Sequence, residues 1–284
     1  MKTEPLSLEH KSLLRPKFQE MGLCLSEYSF ASRYLFRREY NLEVIFDDDR
    51  MWIRGKTKDG ITFLMPLENI QLIPEERILA ALQWADCLYP IPEKWISTLN
   101  RNKFYVNFNR NESDYLFKRE KIASYAGRKL SPKRNLVKQF DASHEAKVLP
   151  YTKKYMEEAL SILYSWQSMY PGTSSDFSPC QDGLANSDEL NLIGYIVFVE
   201  KKPAAFILGE ILHSTLFDIH FAKALTTYKG IYPFLFQELA NRLVCQEINC
   251  LNWEQDLGEE GLRQSKLSYQ PDEIAHKYRL FPLS

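Results

Sequence analysis

No apolar run in this 284-residue sequence approaches the roughly 18 to 20 residues that a membrane-spanning helix requires. The longest, around Leu190–Val199 and Ile231–Phe236, are much shorter. The opening stretch MKTEPLSLEHKSLLRPKF is polar and charged and lacks the apolar centre of a secretory signal. An excess of either charge is missing too. The 36 lysines and arginines against 37 acids leave a formal net charge of -1, which excludes a uniformly basic surface for nucleic acid but permits a local patch. The five cysteines, Cys24, Cys87, Cys180, Cys245 and Cys250, form no Cys-x-x-Cys pair and have no histidine at zinc-site spacing. These absences lead us to expect a reduced, cytoplasmic protein, at most peripheral at a membrane, with no metal site.

What is present is apolar bulk. Hydrophobic residues make up 45% of the chain, enough over this length for two modest cores or one large one. In the first half, residues 6–40 read as helical pieces, broken at Pro16. A meander of strands follows over Leu42–Phe46, Met51–Arg54 and Ile61–Leu67, joined by the turn clusters Asp47-Asp48-Asp49 and Lys58-Asp59-Gly60. The three aspartates lack the alternating spacing and later glutamate of a calcium loop, so they read as a solvated tip. Glu75–Leu88 has helical periodicity, Pro90 and Pro92 interrupt, and Lys103–Asn109 alternates as a half-buried strand does.

The second half begins near the densest positive charge, where Arg128, Lys129, Lys133, Arg134 and Lys138 fall within eleven residues. Ser131 and Pro132 mark a helix start there, and the cations suit phosphate on a lipid, cofactor or RNA. A helix over Thr152–Met169 and a polar loop over Pro171–Asn191 lead to strands at Ile193–Glu200, Ala204–Leu212 and Thr215–Lys223. A turn holding Tyr228, Lys229, Gly230 and Ile231 opens a helix to about Cys245, and Ile248–Trp253 is a last strand. Such a turn at a helix amino terminus offers free N–H groups to an anion. Asn252, Glu254 and Asp256 lie at or just past the carboxyl end of that strand, where open sheets place their chemistry.

This order resembles the GNAT acyltransferase fold, in which the donor's pantetheine lies between two splayed strands, here Thr215–Lys223 and Ile248–Trp253. The segments Gly127–Phe140, His220–Ala224 and Asn252–Pro271, with Asp114–Leu116 upstream, together resemble the phosphatidylglycerol lysyltransferase C-terminal-domain-like family over about residues 25–281. The resemblance implies an α+β chain of two tandem GNAT-like domains, 1–125 and 126–284, each a mixed, mostly antiparallel sheet flanked by helices. The Fem peptidyltransferases, which use aminoacyl-tRNA, share this arrangement. It implies an acyl- or aminoacyltransferase with no tightly bound cofactor, a donor that is aminoacyl-tRNA or acyl-CoA, and a lipid head group, peptide or small amine as acceptor. The coenzyme A-binding turn of such folds reads Arg/Gln-x-x-Gly-x-Gly/Ala. Gly230 is the one glycine here, so Tyr232 or Tyr228 takes the place of the other, which favours aminoacyl-tRNA.

Transfer needs a group to take the acceptor's proton. Glu210, His220, Glu254 and Asp256 are the candidates by position, with Tyr232 as proton donor to the leaving group. Lys223, Asn252, Arg263 and Lys266 join the basic segment as candidates to hold substrate or phosphate, and Tyr228–Ile231 to hold the donor. The competing reading is a non-catalytic module that binds anionic lipid or RNA through residues 128–138.

Overall fold

The computed structural model describes residues 2–47, 50–170 and 176–283. Their contacts form two compact units, one of Met1–Asp114, Gln255–Gly258 and Ile274–Ser284, the other of Tyr115–Glu254 and Glu259–Glu273. Relative to the expected division at 125/126, the contacts group residues 115–125 with the second unit and residues 255–258 and 274–284 with the first. Backbone pairing explains this, because residues 116–118 bond to Cys250–Asn252 in the second unit.

In the first unit, β1 (Lys2–Pro5) precedes α1 (Lys11–Met21) and α2 (Phe30–Leu35). α1 runs through Pro16, contrary to the expected break. The proline costs about 3 kcal/mol of helix propensity, which burial of Leu14 and Phe18 offsets at about 1.5–3 kcal/mol each. The meander forms as predicted from β2 (Glu43–Asp47), β3 (Arg50–Lys56) and β4 (Thr62–Pro66). Asp48 and Asp49 of the aspartate cluster lie outside the described residues. α3 (Glu75–Ala81) stops short of the predicted Leu88 because β5 (Cys87–Pro92) starts there, parallel to β4. Every residue of β5 is buried, so a short strand wins over the helical periodicity that precedes it. β6 (Phe104–Phe108) follows.

The second unit contains β7 (Asp114–Lys118), α4 (Arg119–Ser124), α5 (Ser131–Ser143), β8 (Ala146–Pro150), α6 (Met156–Met169) and α7 (Phe177–Ala185). It continues with β9 (Ile193–Val199), β10 (Lys202–His213), β11 (Leu216–Ala224), α8 (Ile231–Arg242), β12 (Cys250–Asn252) and α9 (Glu260–Leu267), and β13 (Glu273–Ala275) begins at its last residue. Residues 171–175 of the expected polar loop are outside the described residues, and α7 replaces much of the remainder. It buries Pro179, Cys180 and Leu184, an apolar face that the polar residues around it hide in the sequence. The sheet order is β13-β7-β12-β11-β10-β9-β8, and within it β11 and β12 run parallel. That parallel pairing covers only Leu216–Asp218 against Cys250–Asn252, so most of β11 extends beyond it. α6 packs on β10 and β11, and α8 packs on β10, α4 and α5. Phe206, Leu208, Phe217, Leu235 and Leu239 fill the core.

The last strand, β14 (Lys277–Pro282), returns to the first unit and inserts between β5 and β6, completing the order β1-β2-β3-β4-β5-β14-β6. Pro90 falls in the irregular part of the β5–β14 register, where a missing N–H breaks no ladder bond. β14 carries Lys277 into the core, where Nζ lies 2.6 Å from both Asp114 Oδ1 and Glu27 Oε2. Ser26 Oγ and Gln255 Oε1, each at 3.2 Å, complete its coordination. Burial opposes the ammonium, but the charges of Asp114 and Glu27 outweigh it and hold Lys277 above its ordinary value.

Candidate functional site

The second unit gathers three of the five candidate catalytic residues around one imidazole. β10 and β11 pair antiparallel, with Leu208 opposite Phe221 and Gly209 opposite Ile219, so His220 is the extra residue of a β-bulge. Bulges re-aim a side chain and concentrate beside active sites. Gly209 lets the strands close there, because a Cβ at that position would stand 2.0 Å from Asp218 O. The His220 side chain is fully buried. Its Nε2 is 3.2 Å from Glu210 Oε1 and its Nδ1 is 2.9 Å from Glu254 Oε1. Asp218, directly opposite Glu210 in the register, places Oδ2 3.9 Å from Nδ1.

Two acceptors on two ring nitrogens call for an imidazolium, since neutral imidazole donates only once. Burial works against that charge, but the hydrogen bonds that Glu210 and Glu254 accept and the nearby charge of Asp218 outweigh it, holding His220 well above 6.5. The imidazolium also offsets the repulsion between the facing carboxylates of Glu210 and Asp218. His220 is therefore a buried, charged linker rather than a free base at neutral pH. Glu254 is the outer member of the chain, with 15% of its side chain exposed against 7% for Glu210.

The position of Glu254 is built by its neighbours. It has φ 55, its N–H donates to Asn252 Oδ1 at 2.6 Å, and Lys266 Nζ donates to the carbonyls of Trp253 at 2.5 Å and Glu254 at 3.2 Å. Asn252 and Lys266, both expected to meet substrate, are buried and shape the strand end. A lysine ammonium is a compact donor that satisfies backbone carbonyls where the chain turns sharply. Asp256 belongs to the first unit, where it accepts from Gly258 N at 2.9 Å and lies 3.6 Å from Arg110.

A second polar group in the same unit surrounds Lys223. This buried lysine lies 2.6 Å from Asp176 Oδ2 and 3.6 Å from the centre of the Trp166 ring. Trp166 Nε1 donates to Tyr232 Oη at 2.9 Å. Burial pushes the Tyr232 phenol up to about 12, so it keeps its proton at neutral pH and remains able to donate it. Cys180 is buried nearby in the charge sense, feeling Lys223 and Asp176, but desolvation raises its thiol and leaves it unreactive.

The expected donor turn makes close packing contacts. Gly230, at φ 91, caps α8, and a Cβ there would lie 2.5 Å from Leu136 O of α5. The glycine thus serves close helix packing. Tyr228 stacks edge-on against His144 at 5.3 Å, Lys229 is exposed and Ile231 is buried. On the basic segment, Arg134 Nη1 donates to Tyr125 O at 2.5 Å and Lys133 Nζ sits 3.8 Å above the Tyr269 ring. Arg128, Lys129 and Lys138 are exposed. Arg263, on α9, lies half-buried.

Asp218 escaped the sequence reading although it lies two residues before His220, the spacing that returns a strand to the same face. The ligand atoms of Asp218, His220 and Glu254 lie within 4.8 Å of one another, near enough for one cation to touch all three. In the geometry present, a proton on His220 Nδ1 faces Glu254 and supplies positive charge at that point.

The family model described as "Phosphatidylglycerol lysyltransferase, C-terminal" matches residues 20–281. Among solved structures, a conserved protein of unknown function from Bacteroides thetaiotaomicron is 24% identical with a TM-score of 0.87, covering 100% of both chains. L-PGS from Bacillus licheniformis is 15% identical with a TM-score of 0.65, covering 98% of this chain and 92% of its own. FemX is 7% identical with a TM-score of 0.64, covering 100% and 98%. The α+β, GNAT-like fold is shared with an acetyltransferase of the GNAT family from Colwellia psychrerythraea, 11% identical with a TM-score of 0.53 and covering 100% of both chains. No curated protein matches the chain. Among the described residues, no helix is long and apolar enough to cross a membrane.

Proposed function

The chain belongs to the phosphatidylglycerol lysyltransferase C-terminal family, and from that premise we propose that it is a GNAT-type acyltransferase that moves an aminoacyl group from aminoacyl-tRNA to a lipid head group, peptide or small amine. The observation that carries this reading is the chain Glu254–His220–Glu210, with the outer carboxylate partly open to solvent and the inner two groups buried. In this reading Glu254 takes the proton from the attacking hydroxyl or amine as the new acyl bond forms. His220 orients Glu254, and Glu210 orients His220, so both act as positioning residues. The ester bond to the tRNA ribose then breaks, and the departing hydroxyl recovers a proton, for which Tyr232 is the candidate donor. A positioned base of this kind contributes roughly 10²–10⁴ in rate.

The preference for aminoacyl-tRNA over acyl-CoA is supported by the turn before α8. Its one glycine is used against Leu136, so the backbone approach that a pyrophosphate needs is not what that glycine provides. The test is transfer of radiolabelled lysine from lysyl-tRNA to vesicles containing phosphatidylglycerol, to a peptide amine and to a small amine, run beside acetyl-CoA. Label in one of those acceptors, reduced at least a hundredfold by Glu254→Gln, is the expected result. Turnover of acetyl-CoA with no use of lysyl-tRNA or other aminoacyl-tRNAs would overturn the donor assignment. Full activity in Glu254→Gln would overturn the base.

A further inference from the structure

The first unit contains a cavity of about 190 Å³, made entirely of its own residues. That is below the roughly 300 Å³ where drug-sized pockets begin, so it suits a metabolite-sized molecule. One wall is aromatic, with Phe63 and Tyr89 packed edge to face at 5.5 Å. The rest is charged, and the charges are unevenly paired. Arg279 is committed to Asp59, with Nη1 2.6 Å from Oδ2, and to Glu112, with Nε 3.2 Å from Oε2. Glu27 is paired with Lys277 at 2.6 Å, accepts from Tyr89 Oη at 3.1 Å and also feels the charge of Arg33, without a salt bridge to it.

Arg33 is different. It lines the same cavity and is only 4% exposed. Its Nη2 donates to Ser32 Oγ at 3.1 Å, its Nε is buried and meets no acceptor, and among the described residues no carboxylate forms a salt bridge to it. A buried guanidinium with a hydrogen bond unmade is costly and calls for an explanation. Its planar fork matches a carboxylate, which accepts two parallel N–H bonds. Nothing in the sequence pattern signals this: Arg33 sits in a short helix whose six residues are all buried.

We infer that the cavity of the first unit is a binding site for a small monocarboxylate with an aromatic or apolar body, anchored on Arg33. The body packs against Phe63 and Tyr89. A doubly charged phosphate fits the electrostatics worse, because Glu27, Asp59 and Glu112 line the same space and would repel the second charge. The site is built from residues of the first unit, and its assignment does not depend on the transferase reading.

The test is calorimetric titration of the full chain with acetate, benzoate and 3-phenylpropionate, beside benzamide and inorganic phosphate. We expect benzoate or 3-phenylpropionate to bind at least tenfold more tightly than benzamide or phosphate. Arg33→Gln is expected to lose at least tenfold of that affinity while keeping its circular dichroism spectrum. Asp59→Asn, at a side chain 52% exposed, is expected to tighten binding severalfold by freeing part of Arg279, and it decides the matter if Arg33→Gln does not fold. Binding of no carboxylate, equal binding of benzoate and benzamide, or affinity unmoved by a folded Arg33→Gln or by Asp59→Asn would overturn the proposal.

Discussion

At the scale of single residues, His220 sets the most direct expectations. Its proton is held more tightly in the folded chain than at the ordinary value of 6.5. The stabilisation from this is complete below about pH 6.5 and is lost as the pH rises through the elevated native value. Urea unfolding measured from pH 6 upward should therefore show a downward slope that His220→Asn flattens. Removing the charge on its outer partner should act the same way at the ring itself. In Glu254→Gln the imidazole is expected to titrate at lower pH, read from its ring-proton resonances. Lys277 gives a sharper loss. Replacing it with methionine leaves Glu27 and Asp114 facing each other in the core, and breaking a buried pair in this way costs about 3–5 kcal/mol, to be read from the denaturation midpoint. Glu210, His220 and Glu254 were legible as polar residues on or after apolar strands. Glu27, Arg33 and Lys277 were not, because residues 250 positions apart carry no spacing that reveals a meeting in space.

At the scale of elements, the bulge at His220 and the glycine before α8 show why residue type alone misleads. A lone glycine ahead of a helix reads as an anion-binding turn, yet φ 91 and the 2.5 Å approach to Leu136 O assign Gly230 to the contact between α8 and α5. Gly230→Ala should lower the melting temperature, by more than the about 1 kcal/mol typical of a misplaced glycine change. If the turn also cradled a phosphate, the variant would lose donor binding in addition to melting temperature. The meander β2–β4 and the run from β9 through α8 were readable because period-2 and period-3.6 patterns are strong there and end in turn residues. β5 and α7 were not. A fully buried strand has no alternation to display, and α7 lies among serines and glycines that look like a loop. The bulge was invisible for a further reason: an extra residue in one strand is defined only against its partner.

At the scale of the molecule, the partition into two units was expected in kind, while the path of the chain between them was not. Residues 115–118 pair with β12, residues 255–258 belong with the first unit, and β14 joins the first sheet between β5 and β6. A compositional shift marks a linker, but a chain that crosses between compact bodies without a linker leaves no such mark. Deleting residues 277–284 should destabilise the first unit, since it opens a gap inside the sheet and removes Lys277 from its two acids. The expected readout is loss of amide protection across β5 and β6, with β9 and β10 of the second unit retaining theirs longer.

The insertion of β14 also orders events in time. During synthesis the first unit's sheet has a vacant place between β5 and β6 until residues 277–282 have left the ribosome, by which point β7 through β12 are already outside. The part of the chain made first is thus among the last to close, and a nascent chain stalled before residue 277 exposes two unpaired strand edges that invite capture by a chaperone or by another copy.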